Sequence, residues 1–177
     1  MELLHVHDKN FKPYLSATDI GIAVQRLGAE INKEYKDLKP LFISILNGSF
    51  MFASDLFKEI TIDAEITFIK LASYKGVAST GQVVTAIGLD VDLVGRHIII
   101  VEDIVDTGKT LSHFLPQLQH HHPASLKIVA LLHKPEALKH DIKIDYLGFN
   151  VTDKFLVGYG LDYDGLGRNT KAIYQLV

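Results

Sequence analysis

The sequence predicts an α/β fold in which a parallel sheet is covered by helices on both faces. Three apolar runs, at 41–46, 96–101 and 126–132, are typical of fully buried strands. Helical patterns separate these runs, and such alternation favours parallel strands joined by crossover helices. After Lys134 the apolar runs become shorter and are separated by turn residues, which predicts a small irregular hood subdomain.

Each element follows from a local pattern. The first helix is predicted from apolar residues at helical spacing (Ile20, Val24, Leu27, Ile31 and Tyr35), with Ser16 or Thr18 as its cap and Pro40 beyond its end. A helical pattern at 50–60 and a strand at 64–73 follow. Residues 74–83 are rich in Gly, Ser and Thr and are too numerous for a tight turn. A third helix is predicted at about 110–120, and Pro116 is expected to kink or shorten it.

The chain length favours a single domain with one substantial core. With 177 residues, we expect a core at about 15–135 and a hood made of the N-terminal segment and about 136–177. Short strands are expected in the hood at 144–151, 155–163 and 172–177.

Composition excludes several classes of function. The net charge is −3 and the 18 Lys and Arg residues are dispersed, which argues against a nucleic-acid partner. The chain has no cysteine, so a reducing compartment, and hence the cytoplasm, is expected. No apolar stretch approaches the roughly 20 residues that a membrane-spanning helix needs, so no membrane association is predicted.

The stretch "VEDIVDTGKT" (101–110) carries the most chemistry. Gly108-Lys109-Thr110 matches the second half of a triphosphate-binding P-loop, but Asp103 occupies the position of the first glycine. Glu102, Asp103 and Asp106 would place three carboxylates beside the phosphates, and their repulsion excludes the ATPase interpretation.

The same stretch suits a different phosphate ligand. Residues 107–110 are predicted to form a turn at a helix N-terminus, where free N–H groups and the helix dipole favour a single phosphate monoester. Glu102 and Asp103 follow a buried strand and are suited to accept hydrogen bonds from adjacent sugar hydroxyls. The pattern therefore predicts a cradle for ribose 5-phosphate. The alternative interpretations are that the acids only decorate a solvated loop and that Asp106 is only a helix cap.

With these features noted, the sequence resembles the type I phosphoribosyltransferases, in the form typical of hypoxanthine-guanine phosphoribosyltransferases. Besides "VEDIVDTGKT", four segments carry the resemblance in the family's order. They are similar to a pyrophosphate loop (46–56), a mobile lid (72–83) and two purine-pocket segments (131–135 and 153–168). The resemblance implies the type I fold and transfer of a 6-oxopurine to 5-phosphoribosyl 1-diphosphate with Mg²⁺. It also implies a homodimer or homotetramer.

The resemblance also implies residue roles. Asp106 would be the acid/base residue at the purine N7, and Lys134 would donate to the purine O6. Phe155 would stack on the base while the backbone at Leu156 reads its edge. The remaining substrate contacts would come from Gly48, Ser49, Ser73, Tyr74, Glu102, Asp103, Thr107, Gly108, Lys109, Thr110 and Arg168, with Lys154 in support. Glu102 and Asp103 would hold the ribose hydroxyls directly or through Mg²⁺, and Asp162 would bind a second Mg²⁺.

The sequence leaves several residue roles and two alternative functions open. Asn47 stands where the family's pyrophosphate loop commonly has lysine, so its role is uncertain. The consecutive His120, His121 and His122 favour an exposed turn over a metal site. An RNA-binding regulator with the same fold is one alternative, and the dispersed cations argue against it. A xanthine-preferring transferase is the other alternative.

Overall fold

The computed structural model describes residues 3–73, 83–87 and 89–177, and these residues form two sheets and three helices. The strands are β1 (Leu4–Val6), β2 (Lys9–Leu15), β3 (Leu41–Leu46), β4 (Glu65–Ser73), β5 (Val83–Ile87), β6 (His97–Val105), β7 (Ser125–His133), β8 (Tyr146–Asn150), β9 (Leu156–Val157) and β10 (Ile173–Leu176). The helices are α1 (Ala17–Glu34), α2 (Phe50–Lys58) and α3 (Lys109–Gln119).

The larger sheet confirms the predicted fold class. Its strand order is β5-β4-β3-β6-β7-β8. The five strands from β4 to β8 in this order run parallel, and β5 adds an antiparallel edge beside β4. Because β3, β6 and β7 are parallel neighbours, their carboxyl ends lie at the same edge of the sheet, where open α/β sheets bind their ligands.

Burial on both faces explains the continuous apolar runs. In β6, Ile98 and Ile100 pack with α3, whereas Ile99 and Val101 pack with α1 and α2. All four side chains are fully buried. Since successive side chains of a strand point to opposite faces, a sheet covered on both sides needs apolar residues at every position.

The first helix begins at the predicted cap. Ser16 accepts a hydrogen bond from the N–H of Asp19, and the Asp19 carboxylate accepts one from the N–H of Ser16. This reciprocal capping box selects Ser16 over Thr18 as the cap. The five residues predicted to face the core, from Ile20 to Tyr35, are all buried.

Two predictions about individual elements need correction, and one strand was missed. The segment at 146–150 was assigned to the hood, but it is β8 and pairs in parallel with β7 in the larger sheet. Its short apolar run resembles the hood strands in sequence, and only the register with β7 distinguishes it. Pro116 does not end α3, which continues to Gln119 because Leu111, Phe114 and Leu118 pack against the sheet. The strand β5 was not predicted.

The smaller sheet joins the two ends of the chain. It is antiparallel with the order β1-β2-β10-β9, and it packs around the buried side chains of Val6, Phe11 and Val157. The predicted strand at 155–163 contributes only β9, and two isolated bridges follow it. No helix among the described residues is long and apolar enough to cross a membrane.

Candidate active site

Two adjacent carboxyl groups lie near the carboxyl end of β6. Glu102 is buried and Asp103 is partly buried, as expected for residues that follow a fully buried strand. Burial, together with the charge of Asp103, raises the pKa of Glu102 well above its usual range. Burial also raises the pKa of Asp103 to about 6. The pair therefore favours a ligand that supplies cations or hydroxyl donors.

Asp103 also contacts the loop after β3. Its Oδ1 accepts a hydrogen bond from the N–H of Ile104 (2.9 Å). Its Oδ2 lies against Gly48, where an added Cβ would be only 1.6 Å away. Gly48 is thus required by close approach, and it brings the predicted pyrophosphate loop onto the predicted ribose acids.

The turn after β6 has the features of a phosphate site. Gly108 caps α3 in the left-handed conformation (φ 76°). Among the described residues, the N–H groups of Gly108, Thr110 and Leu111 have no protein acceptor, and that of Lys109 bonds only the Thr107 hydroxyl (3.3 Å). These free donors line a pocket of about 80 Å³ formed by residues 102 and 104–111. A small anion at a helix N-terminus suits this arrangement.

Lys134 approaches this turn from the end of β7. Its side chain is only 10% exposed, and its Nζ lies 3.7 Å from Asp106 Oδ2 and 3.5 Å from Asp153 Oδ1. The structure therefore brings together the predicted acid/base residue and the predicted O6 donor, which are 28 positions apart in the sequence. Asp153 is not among the site residues predicted from the sequence. Its signal was its place directly before Lys154 and Phe155 in the purine-pocket segment.

The aromatic residue predicted to stack on a base lies in the hood. Phe155 is 46% exposed, and its ring packs edge-on against Tyr163 at 5.8 Å. The neighbouring Leu156 side chain is buried, and its backbone pairs with Gln175 in β10. A planar ligand could therefore use the exposed part of the Phe155 ring.

The hood supplies a second charged pair. Arg168 Nη2 lies 2.7 Å from Asp162 Oδ1, and Arg168 Nη1 donates to the Gly160 carbonyl oxygen (2.6 Å). The other oxygen of Asp162 accepts the N–H of Gly165 (2.7 Å). An added Cβ at Gly160 would lie 2.0 Å from the Gly48 carbonyl oxygen. The hood loop is thus packed directly on the loop after β3.

The loop after β3 begins with a cis peptide bond between Leu46 and Asn47. Ser49 is fully buried, and its hydroxyl bonds to Ser44 and to the Ile45 carbonyl oxygen, so its side chain faces the core. The Ser49 hydroxyl is therefore not available to a ligand. Asn47 is exposed, and its side chain makes no hydrogen bond among the described residues.

The remaining predictions concern the lid and the three consecutive histidines. Of the predicted lid, Tyr74 lies outside the described residues and only the backbone of Ser73 is described. His120, His121 and His122 are exposed at the end of α3. Among the described residues, no three carboxylate or imidazole side chains converge to hold a metal ion. Glu102, Asp103 and Asp162 therefore do not form one common cage.

Comparisons with known proteins identify the family of the chain. The phosphoribosyl transferase domain family matches residues 12–164. The chain is 45% identical to hypoxanthine phosphoribosyltransferase of Buchnera aphidicola, over 86% of this chain and 88% of that protein. It is 38% identical to hypoxanthine-guanine-xanthine phosphoribosyltransferase of Tritrichomonas foetus, over 88% and 85% of the two chains.

A solved structure is similar over nearly the whole chain. The crystal structure of a hypoxanthine phosphoribosyltransferase from Staphylococcus aureus superposes with a TM-score of 0.89 and 40% identity. The superposition covers 94% of this chain and 91% of that one. The chain belongs to the phosphoribosyl transferase family.

Proposed function

We propose that the protein is a purine-salvage transferase. It would join hypoxanthine, and also guanine, to 5-phosphoribosyl 1-diphosphate, giving IMP or GMP and pyrophosphate. The observation that carries this proposal is the position of Lys134 beside Asp106 (3.7 Å), directly before the free N–H groups of the phosphate turn. This arrangement brings together a proton acceptor (Asp106), a hydrogen-bond donor (Lys134) and a phosphate site (the turn after β6).

The sugar phosphate would bind first to the backbone. The N–H groups of Gly108, Thr110 and Leu111, with the Thr110 hydroxyl, would hold the 5-phosphate, and Thr107 and Lys109 would complete the turn. Glu102 and Asp103 would accept hydrogen bonds from the two ribose hydroxyls. Donors at this position would relieve the cost of burying two adjacent carboxylates.

The base would be recognised by charge and by stacking. Lys134 would donate to O6 of a 6-oxopurine, whereas the 6-amino group of adenine is itself a donor and would be rejected. Asp106 would accept the proton from N7 as the ring bonds to the sugar. Phe155 would stack on the base, and the backbone of Leu156 would read its edge. The Leu156 side chain is buried and would take no part.

The leaving pyrophosphate would be held by the remaining residues. The backbone of Gly48 and Ser49 would donate to it, and the planar fork of Arg168 suits its oxygens. Ser73 and Tyr74 would close over it and exclude water. The oxygens of Glu102, Asp103 and Asp162 are the donor type that Mg²⁺ prefers, with substrate oxygens completing its shell. When bound, Mg²⁺ would neutralise negative charge on the pyrophosphate.

The assembly and location belong to the same proposal. We expect a homodimer or homotetramer, as the family resemblance implies, which light scattering of the purified protein tests. A cytoplasmic location agrees with the absence of cysteine. The net charge of −3 gives no support to the RNA-binding alternative.

A spectrophotometric assay tests the proposal directly. Purified protein is supplied with 5-phosphoribosyl 1-diphosphate and Mg²⁺ and, separately, hypoxanthine, guanine, xanthine, adenine and uracil. We expect metal-dependent turnover of hypoxanthine and guanine, and none of adenine or uracil. A preference for xanthine would favour that alternative, and no turnover with any base would refute the proposed activity.

A further inference from the structure

Residues 138–142, here called the brace loop, pack against the phosphate turn. The N–H of Lys139 donates to the Thr107 carbonyl oxygen (3.0 Å), and the N–H of His140 donates to the same oxygen (3.3 Å). One carbonyl of the turn therefore receives two hydrogen bonds from a segment that is about 30 positions away in the sequence. Neither donor depends on the identity of its side chain.

Side-chain packing reinforces these two bonds. Gly108 is buried, and an added Cβ would lie 2.8 Å from Ile142 Cγ1, 3.2 Å from Leu138 Cδ1 and 3.3 Å from the His140 carbonyl oxygen. Ile142 is itself 8% exposed and belongs to the same apolar cluster as Leu111 of α3. The brace loop is thus anchored in the core and reaches the left-handed residue of the turn.

The hydrogen bonds decide which way the turn presents its donors. The carbonyl and N–H of one trans peptide point in opposite directions. The Thr107 carbonyl points at Lys139 and His140, so the N–H of Gly108 in the same peptide points away from the brace loop. That N–H has no acceptor among the described residues, as is true of Thr110 and Leu111.

We infer that the brace loop positions the phosphate turn by holding the peptide between Thr107 and Gly108 in the orientation that exposes its N–H to the 5-phosphate. This inference rests on the proposed function. Lys139 and His140 are positioning residues, since they act through the Thr107 carbonyl and do not touch the phosphate. A loop that only filled the surface would affect stability without selectively changing phosphate affinity.

The inference is tested by removing one N–H. Lys139→Pro deletes the N–H that makes the shorter of the two hydrogen bonds, whereas Lys139→Ala changes only the exposed side chain and keeps that N–H. Lys143→Pro introduces proline just outside the brace loop, at a residue whose N–H has no acceptor in the described ranges. Ribose 5-phosphate affinity is measured by calorimetry, together with the KM values of both substrates.

We expect Lys139→Pro to weaken ribose 5-phosphate binding, and to raise the KM for 5-phosphoribosyl 1-diphosphate, by about tenfold. The KM for hypoxanthine and inhibition by pyrophosphate should stay within about twofold. Lys139→Ala and Lys143→Pro should resemble the wild type. Equal affinity in folded Lys139→Pro and Lys139→Ala, or the same loss in Lys143→Pro, would overturn the inference.

A measurement on the wild type covers the case in which Lys139→Pro does not fold. Amide hydrogen exchange by NMR should show Lys139 and His140 protected with and without ribose 5-phosphate. The amides of Gly108, Thr110 and Leu111 should become protected only when the ligand is added. Rapid exchange at Lys139 and His140, or no protection of the turn, would overturn the inference. Because no base is present, failure of the proposed transferase activity is detected separately in the turnover assay.

Discussion

The two halves of the candidate site handle charge in opposite ways. At the end of β6, Glu102 and Asp103 place two like charges side by side, and burial raises the pKa of both. At the end of β7, the buried Lys134 lies between two opposite charges, Asp106 and Asp153. The first half is therefore electrostatically unsatisfied without its ligand, whereas the second is largely compensated within the protein.

This difference separates binding from recognition. The half that contains Glu102 and Asp103 gains the most from a ligand that carries cations and hydroxyl groups, so it contributes affinity. A lysine already held by two carboxylates loses little freedom when it meets a carbonyl oxygen, and so contributes selectivity. Asp106 connects the halves, because it belongs to the phosphate segment and contacts Lys134.

Replacing Asp106 should break this connection and have the largest effect. Asp106→Asn removes the proton acceptor but retains the shape, so kcat should fall by about 10²–10⁴-fold. The KM for 5-phosphoribosyl 1-diphosphate should change little, because the backbone turn is intact. Steady-state kinetics measure both, with the exposed Asp63→Asn as a control. A kcat within about tenfold of wild type would rule out the acid/base role.

The contact between the hood and the loop after β3 should give the next largest effect. Gly160→Ala places a methyl group 2.0 Å from the Gly48 carbonyl oxygen, in a residue whose φ is +100°. We expect kcat/KM to fall by at least about tenfold and the free energy of unfolding by about 2–4 kcal/mol.

Gly165→Ala separates backbone strain from that contact. Gly165 has a comparable φ of +83° but open space around it, so only strain of about 1–2 kcal/mol is expected. Thermal unfolding and kinetics of the two variants give the difference. Equal effects at both positions would show that packing on Gly48 is unimportant.

The unsatisfied half should be visible in the pH dependence of stability. The pKa of Asp103 is about 6 in the folded protein against an ordinary 3.8, so between these values the folded state retains a proton that the unfolded state has lost. Stability from this group is therefore full below pH about 4 and is lost as the pH rises through about 6.

Metal-free wild type should accordingly lose on the order of 5 °C in Tm across that window through Asp103. Asp103→Asn should abolish this contribution and leave only the part of the slope that comes from Glu102. Calorimetry from pH 4 to 7 measures the slopes, and Asp63→Asn should retain the wild-type slope. An unchanged slope in Asp103→Asn would contradict the assignment.

The half of the site around Lys134, whose charges are largely compensated, should respond least to substitution. Asp153→Asn removes one of two partners of Lys134, but Asp153 is 58% exposed and Asp106 remains. The KM for hypoxanthine should rise by about threefold, with the KM for 5-phosphoribosyl 1-diphosphate unchanged. Glu136→Gln, an exposed acid two positions after Lys134, serves as the control. Equal changes in both KM values would argue against a role confined to the base.

The sequence alone determined the features that are local in the chain. Apolar residues at every position of 98–101 require a strand buried on both faces, and the acids and Gly108 that follow must then lie at its carboxyl end. Helix α1, its capping box and its buried face follow from spacing and cap chemistry. These features depend on neighbours within a few residues, so a pattern suffices to predict them.

Only the tertiary structure decided which distant segments meet. The placement of β8 beside β7, Gly160 on Gly48 and the brace loop on Thr107 has no local signature. Each depends on backbone groups or on a register between strands, and backbone hydrogen bonds can form with almost any side chain present. The pairing of Asp153 with Lys134 depends on two loops that the fold brings together. The chain thus encodes its phosphate turn locally, while packing across the fold sets the orientation of that turn and the partners of its lysine.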